Sequence, residues 1–298
     1  MRILLTGATG HLGPYVLREM RRRGLHAWGW RREQPITLFD LPIRQVDVAD
    51  PQAVAQAWRQ EPPTHVLHAA ALSAIADCYR DPAAAQRVNV EGTRHLADLV
   101  RQHGARLLLV STDLVFDGSQ GNYSEADPPG PLSIYARSKL AAEGIVADLP
   151  QALMVRVSWL LGPKLIGPPR FLDDLIAKLR AGQAVRLFTD EYRSVLPLTW
   201  AARALVDALL SDAAGLFHLG GPERLSRYEL GCRLAAHLQV PTELVEGCQQ
   251  ADVPAPEPRP RDVSLSSQRW RERFPEHTWP PVAQGLAEVI PPVEGGQS

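Results

Sequence analysis

A chain of 298 residues that is 45% hydrophobic and 22% charged, with a formal net charge of -1, can bury a sizeable core as two lobes or one large α/β domain, and nothing in its charge points to nucleic acid as a partner. Its three cysteines, Cys78, Cys232 and Cys248, make no CxxC or other metal spacing and read as free thiols of a reducing cytosol. The apolar start at Ile3 is too short for a signal peptide and no apolar run approaches a membrane span of about 18 residues, so a cytoplasmic protein without a membrane partner is expected.

In chain order, β-type runs alternate with helical ones. Strand candidates are Ile3 to Leu5, His26 to Trp30, Ile43 to Val46, His65 to His68, Arg106 to Val110, Leu153 to Val157 and Leu216 to Leu219. Between them, Leu12 to Arg23, Pro51 to Gln60, Pro82 to His103, Ile134 to Asp148, Arg170 to Ala181, Thr199 to Leu210 and Ser226 to Leu238 carry apolar residues at helical spacing. Pro51 and Pro82 each follow an aspartate, a helix cap with proline in the first turn. Alternation of this kind predicts parallel βαβ units, hence a doubly wound α/β sheet. The expected division is 1–163 with 189–220 for the sheet domain, 164–188 with 221–290 for a smaller, mainly C-terminal substrate lobe, and a flexible tail at 291–298.

Gly7-Ala-Thr9-Gly10-His11-Leu12-Gly13 stands between the first strand and the first helix. Glycines there permit a tight turn, close approach of a phosphate and close strand-helix packing, while free helix N–H groups attract an anion. Dinucleotide binding in a Rossmann domain is expected, with Ala69, Ala70 and Ala71 at a neighbouring strand end. After the second strand, where an acid would take the adenosine ribose of NAD, stand Arg31 and Arg32, which suit the 2′-phosphate of NADP(H). Glu33 would reverse that preference if the strand ran longer, and Asp47 with Val48 is placed to meet the adenine.

Ser111-Thr112-Asp113 closes an apolar run, and Tyr135-Ala-Arg-Ser-Lys139 follows two dozen residues later. Tyr135 and Lys139, four apart on a helix, share a face, so an ammonium can lower the pKa of the phenol. Thr112 can hold a reacting oxygen while Tyr135 gives or takes its proton. Only three of the 32 basic residues are lysine: Lys139, Lys164 and Lys178.

With these motifs, STDLVFDG at 111–118, Tyr-Ser-Glu at 123–125, Pro131-Leu132 and Ser158-Trp159, the chain resembles the extended short-chain dehydrogenase/reductases, and within them the dTDP-4-dehydrorhamnose reductase branch. Regulatory beta subunits of methionine adenosyltransferase share the signature. The resemblance implies an NADPH-dependent oxidoreductase of CH-OH groups that reduces a ketone on a nucleotide-activated sugar. Tyr135 is then the proton donor, Lys139 lowers its pKa and binds the nicotinamide ribose, and Thr112 orients the carbonyl. Asn89 matches a family asparagine that supports a proton path through water, the alternative being local bonding to its own helix. Ser73, Thr112, Asp113, Trp159 and Arg193 are the expected substrate contacts, and Arg259 with Arg261 is a further candidate clamp for a diphosphate. Leu72, Ala76 and Leu114 stand where the branch often has polar residues, Tyr15 replaces a glutamate of a magnesium-linked dimer and Arg170 replaces a frequent asparagine. No metal is expected, a homodimer is possible, and the rival readings are a cofactor-binding regulatory subunit and a sugar-nucleotide epimerase.

Overall fold

The computed structural model describes residues 1–279 and 281–290, so the expected tail lies outside the described residues. An eight-stranded sheet forms from β1 (Ile3–Thr6), β2 (Ala27–Arg31), β3 (Ile36–Leu38), β4 (Leu41–Gln45), β5 (His65–His68), β6 (Arg106–Thr112), β7 (Leu153–Val157) and a last strand, Gly215–Leu219. Their spatial order is Gly215–Leu219, β7, β6, β5, β1, β2, β4, β3, and only β3 with β4 is antiparallel. Strand order reverses at β1, which has β2 on one side and β5 on the other. The crevice beyond their C-terminal ends is where open parallel sheets bind ligands.

Helices cover both faces, so β1 is buried along its whole length and has no polar side. Its alternate residues feed two cores. Ile3 and Leu5 pack with Val16, Leu17 and Leu205 from the helices Gly13–Arg22 and Leu198–Leu210. Leu4 packs with Trp28, Trp30, Trp58 and Leu96. Each such side chain contributes roughly 1.5–3 kcal/mol on burial, so these layers hold the strand ends rigidly. A third cluster, including Leu161, Leu172, Leu187, Leu234 and Leu286, joins the helices Phe171–Arg180, Arg227–His237 and Val282–Val289 to the parallel pair Val185–Phe188 and Val245–Cys248. Trp270 and Phe274, expected in the smaller lobe, pack instead in the sheet core, with Phe217 edge-on to Trp270 at 6.1 Å.

Two local features differ from expectation. The strand expected at Ile43 to Val46 is one arm of a hairpin whose two-residue turn, Phe39 and Asp40, has φ of 52° and 61°, the mirror-image turn that fits strand twist. The expected single helix from Pro82 to His103 runs as Pro82–Ala85, a widened π-type stretch Gln86–Glu91, and Gly92–His103. Such a turn is often found at functional sites, and this one carries Asn89. Asp50 and Asp81 do cap their helices, Asp50 accepting from the Gln52 and Ala53 N–H groups at 2.9 and 3.1 Å and Asp81 from Ala84 at 2.8 Å.

Candidate active site

The glycine-rich loop leaves β1 at the reversal of strand order. Gly7 has φ of +70°, and a Cβ on it would lie 2.7 Å from the Ala69 carbonyl carbon, so only glycine lets β1 and the β5 end close up. A Cβ on Gly13 would collide with the Gly7 carbonyl, whereas one on Gly10 would meet only that carbonyl, at 3.1 Å. The cradle is therefore tight toward the sheet and open on its other side. Helix Gly13–Arg22 has no side-chain cap and no acid in its first turn, which leaves its N-terminal N–H groups for an anion. His11 lies half-buried beside it with Nδ1 unpartnered, and Leu12 is buried.

Beneath the loop runs a hydrogen-bond chain that the sequence did not announce. The Ala70 N–H donates to Thr6 Oγ1 at 3.2 Å, and Thr6 and Thr93 hydroxyls flank buried His68 at 2.7 and 3.0 Å. Thr93 Oγ1 donates to the Asn89 carbonyl at 2.7 Å, so it accepts from His68 Nε2–H and the Thr6 hydroxyl donates to Nδ1. Burial, then the nearby Lys139, pulls His68 down to about 3 and keeps it neutral. Ala69, Ala70 and Ala71 sit half-buried along the crevice floor.

The adenosine-side residues are more engaged than expected. Arg31 ends β2, and Glu33 meets both arginines, 3.3 Å from Arg31 Nε and 3.7 Å from Arg32 Nη2. Asp47 turns its carboxylate onto the Ala49 N–H at 2.9 Å, while the Val48 carbonyl is bonded to His95 Nδ1 at 3.0 Å.

Tyr135 and Lys139 lie on the helix Ile134–Ala147, capped by Ser133, whose Oγ accepts from the Ala136 N–H at 3.1 Å. Burial and then Asp113 push the Tyr135 phenol well above its ordinary value, opposed by hydrogen bonding to Thr112 and by Arg193. Arg193 is thus a cation that acts on the phenol besides the expected Lys139. Lys139 is 2% exposed and forms no ion pair or hydrogen bond among the described residues; burial pulls its ammonium down to about 8, against the pull of Glu143 one turn along. Behind it, Glu143 is held by Ser111 at 2.5 Å and by both ends of Arg156, at 3.0 and 2.8 Å.

The side chain of Asn89 is not bonded locally to its own helix. Its Oδ1 accepts from the Leu72 N–H at 2.7 Å, and its Nδ2 donates to the Leu72 carbonyl at 3.0 Å and to Ser138 Oγ at 2.8 Å. Ser138 in turn donates to the Tyr135 carbonyl at 2.7 Å. The widened turn thereby ties the segment after β5 to the Tyr135 helix.

Beside this helix lies a cavity of about 350 Å³ whose wall includes Ala76, Leu114, Arg193, Arg227, Glu257 and Arg259. Asp113 is 1% exposed and saturated: Arg193 Nη1 and Thr112 Oγ1 reach Oδ1 at 2.9 and 3.2 Å, and Ser158 reaches Oδ2 at 2.9 Å. Glu191 bridges Arg193 and Arg227 at 3.5 and 2.7 Å. Arg193 therefore serves the Asp113 and Glu191 carboxylates, leaving its Nε buried and unpartnered among the described residues. Arg227 also lies over the rings of Trp159 and Phe171, at 4.8 and 5.0 Å. Arg259 bonds the Val253 carbonyl at 2.8 Å, and exposed Arg261 contributes its carbonyl to the Tyr192 N–H at 2.7 Å. Ser73 is exposed in the segment after β5. Glu191, Arg227 and Glu257 carry no local motif and were not singled out by sequence.

A family model described as the RmlD substrate binding domain matches residues 1–293. The chain belongs to this family. Among curated relatives, a dTDP-4-dehydrorhamnose reductase of Streptomyces griseus is 32% identical over 91% of the chain and 87% of its own length. A probable low-salt glycan biosynthesis reductase of Haloferax volcanii is 31% identical over 89% of each. The beta subunit of bovine methionine adenosyltransferase 2 is 28% identical over 90% of the chain and 81% of its own length. A dTDP-4-dehydrorhamnose reductase structure from Clostridium acetobutylicum superposes with a TM-score of 0.86 at 24% identity, covering 97% of this chain and 98% of that one, which establishes a shared fold.

Ala76 and Leu114, two of the apolar residues singled out by the resemblance, lie in the cavity wall. Tyr15, 3% exposed, donates to the Pro163 carbonyl at 2.8 Å, and Arg170 precedes the helix Phe171–Arg180, its N–H bonded to Asp173 at 2.9 Å.

Proposed function

We propose that the protein reduces a ketone on a nucleotide-activated sugar with NADPH, Tyr135 supplying the proton. The observation that carries this reading is Tyr135 and the buried Lys139, four residues apart on the helix Ile134–Ala147, beside Thr112 at the C-terminal end of β6. Bound along Gly7, Thr9, Gly10, His11, Leu12 and Gly13, with Ala69, Ala70, Ala71, Asp47, Val48 and Asn89 on the flank, a reduced nicotinamide dinucleotide would supply the hydride. Arg31 and Arg32 favour its phosphorylated form, with Glu33 as the competing partner.

The remaining chemistry belongs to the chain. Thr112 and Tyr135 hold the substrate oxygen, and Tyr135, a phenol protonated at neutral pH, donates as negative charge develops there. The phenolate left behind is stabilised by Arg193, and Lys139 is free to bond the nicotinamide ribose. Trp159, Ser73 and the cavity wall receive the sugar, with Arg227 toward its phosphates. The likeness to the dTDP-4-dehydrorhamnose reductase of Streptomyces griseus makes a 4-keto sugar nucleotide the first substrate to try.

Purified protein with NADPH and a panel of 4-keto nucleotide sugars tests this. Cofactor oxidation is expected, with Tyr135→Phe lowering kcat by about 10²–10⁴ while NADPH affinity stays within twofold. A second reading, cofactor binding without turnover, is supported by the apolar Ala76 and Leu114 and by likeness to the methionine adenosyltransferase beta subunit. NADPH binding with no reduction across the panel would favour it.

A further inference from the structure

Lys164 is one of three lysines in a chain whose other basic residues are arginine, and it lies far in sequence from the glycine-rich loop. Its Nζ nevertheless donates to the Thr9 carbonyl at 3.0 Å, across 155 residues. The segment is held in that place by Asp173, whose carboxylate accepts from the Lys164 N–H at 3.0 and 3.3 Å and from the Arg170 N–H at 2.9 Å. Cations crowd the loop as a result. Burial and then Arg170 pull the Lys164 ammonium down to about 8, and burial, Arg170 and Lys164 hold His11 at about 4, with Asp173 opposing. Among the described residues, His11 Nδ1 is buried without a partner. The loop they surround has an open outer side at Gly10 and leads into an uncapped helix start with no acid. Like charges gathered around unclaimed backbone donors are destabilising until an anion joins them.

We propose that Lys164 is a binding residue for the diphosphate of the dinucleotide, swung onto the glycine-rich loop by the 162–170 segment and aimed by the Thr9 carbonyl. The proposal rests on the dinucleotide cofactor of the preceding section and adds a contact outside the loop motif. One ammonium N–H is spent on Thr9, which leaves two for phosphate oxygens; a compact ammonium fits beside a backbone carbonyl where a planar guanidinium would need more room. Because residue 164 precedes the helix Phe171–Arg180 of the third core cluster, the contact also links cofactor occupancy to the segment leading into that cluster.

The test is equilibrium binding of NADPH and NADH to the full chain, with Lys164→Met beside wild type and Arg31→Ala as contrast. Loss of a charge-assisted contact weakens both dinucleotides by the same factor, about 10 to 100, and leaves their ratio unchanged. Arg31→Ala changes the ratio. Inorganic pyrophosphate, used as a competitor of NADPH, weakens in parallel in Lys164→Met. The salt dependence of NADPH affinity becomes shallower in that variant, which a merely loosened loop would not produce. Wild-type affinity for both dinucleotides in Lys164→Met, a loss confined to NADPH, or an unchanged salt dependence would overturn the proposal. A wild type that binds neither dinucleotide removes the cofactor reading itself and this contact with it; one that binds both while Lys164→Met does so equally removes only the contact.

Discussion

The two sides of the crevice are built on different principles. At the glycine-rich loop the working groups are backbone N–H donors, and the side chains that matter are the ones missing at Gly7, Gly10 and Gly13. Across the Tyr135 helix the wall is made of charged side chains, Asp113, Glu191, Arg193 and Arg227, which neutralise one another. Backbone recognition is fixed by a short local sequence and tolerates change elsewhere. A side-chain network depends on residues gathered from separate elements, so one substitution anywhere in it is felt throughout. The contrast predicts which side is fragile.

The largest effect is expected at the ion-paired wall. Arg193→Met leaves Asp113, 2% exposed at its side chain, as a buried charge with only Ser158 and Thr112 as donors. A loss of about 3–5 kcal/mol in unfolding free energy is expected, measured by denaturant titration. Adding Asp113→Asn should recover much of it, because the pair then disappears together. If Arg193→Met alone costs less than about 1 kcal/mol, the wall is not the dependent network described here.

The Lys139 position sharpens the comparison because its effect has the opposite sign. Burial depresses the ammonium pKa from 10.5 to about 8, so the charged form costs the fold roughly 3 kcal/mol at neutral pH. The folded pKa lies below the unfolded one, so this penalty is complete below pH 8 and fades as pH rises from 8 toward 10.5. Lys139→Met should therefore be more stable than wild type at pH 7 and should lose the gain in stability over that interval. Activity should move the other way, falling in the variant and, in wild type, falling as pH rises through about 8. A variant both inactive and less stable would show that Lys139 is held by contacts rather than merely accommodated.

What was legible in the sequence follows the same division. GATGHLG, STD and YxxxK are short, and each acts through local geometry: a turn, a strand end, one face of a helix. Their placement at the strand ends is therefore readable without tertiary information. Arg193 reaches Asp113 across 80 residues, and the bridging Glu191 and the stacked Arg227 have no local signature. Sequence offers Arg193 as a ligand clamp because nothing local announces its partner Asp113. The β3–β4 hairpin was hidden because Phe39-Asp40 is not a usual mirror-image turn sequence, and Trp270 was misplaced because its docking on Phe217 is a contact between distant segments. The widened turn at Gln86–Glu91 escaped because apolar spacing alone does not separate it from an α-helix.

Asn89 gives the smallest and most discriminating effect, since it joins the two sides. Its three side-chain hydrogen bonds reach the Leu72 backbone twice and Ser138 once, and Ser138 is bonded to the Tyr135 carbonyl. Asn89→Ala leaves the Leu72 N–H and carbonyl without these partners in a half-buried place, and a stability loss of about 1–3 kcal/mol is expected. Were the residue only a brace, that loss would be the whole result, and kcat at a temperature well below melting would match wild type. The chain of bonds argues for more: releasing Ser138 frees the first turns of the Tyr135 helix relative to the segment after β5, so kcat should fall by about tenfold with NADPH affinity little changed. Asn89→Asp separates the two contributions. It keeps the acceptor for the Leu72 N–H but faces the Leu72 carbonyl with a carboxylate, so its stability should fall below that of Asn89→Ala. A kcat that follows stability across both variants would reduce Asn89 to packing, while one that drops fully in each would place it in the alignment of Tyr135.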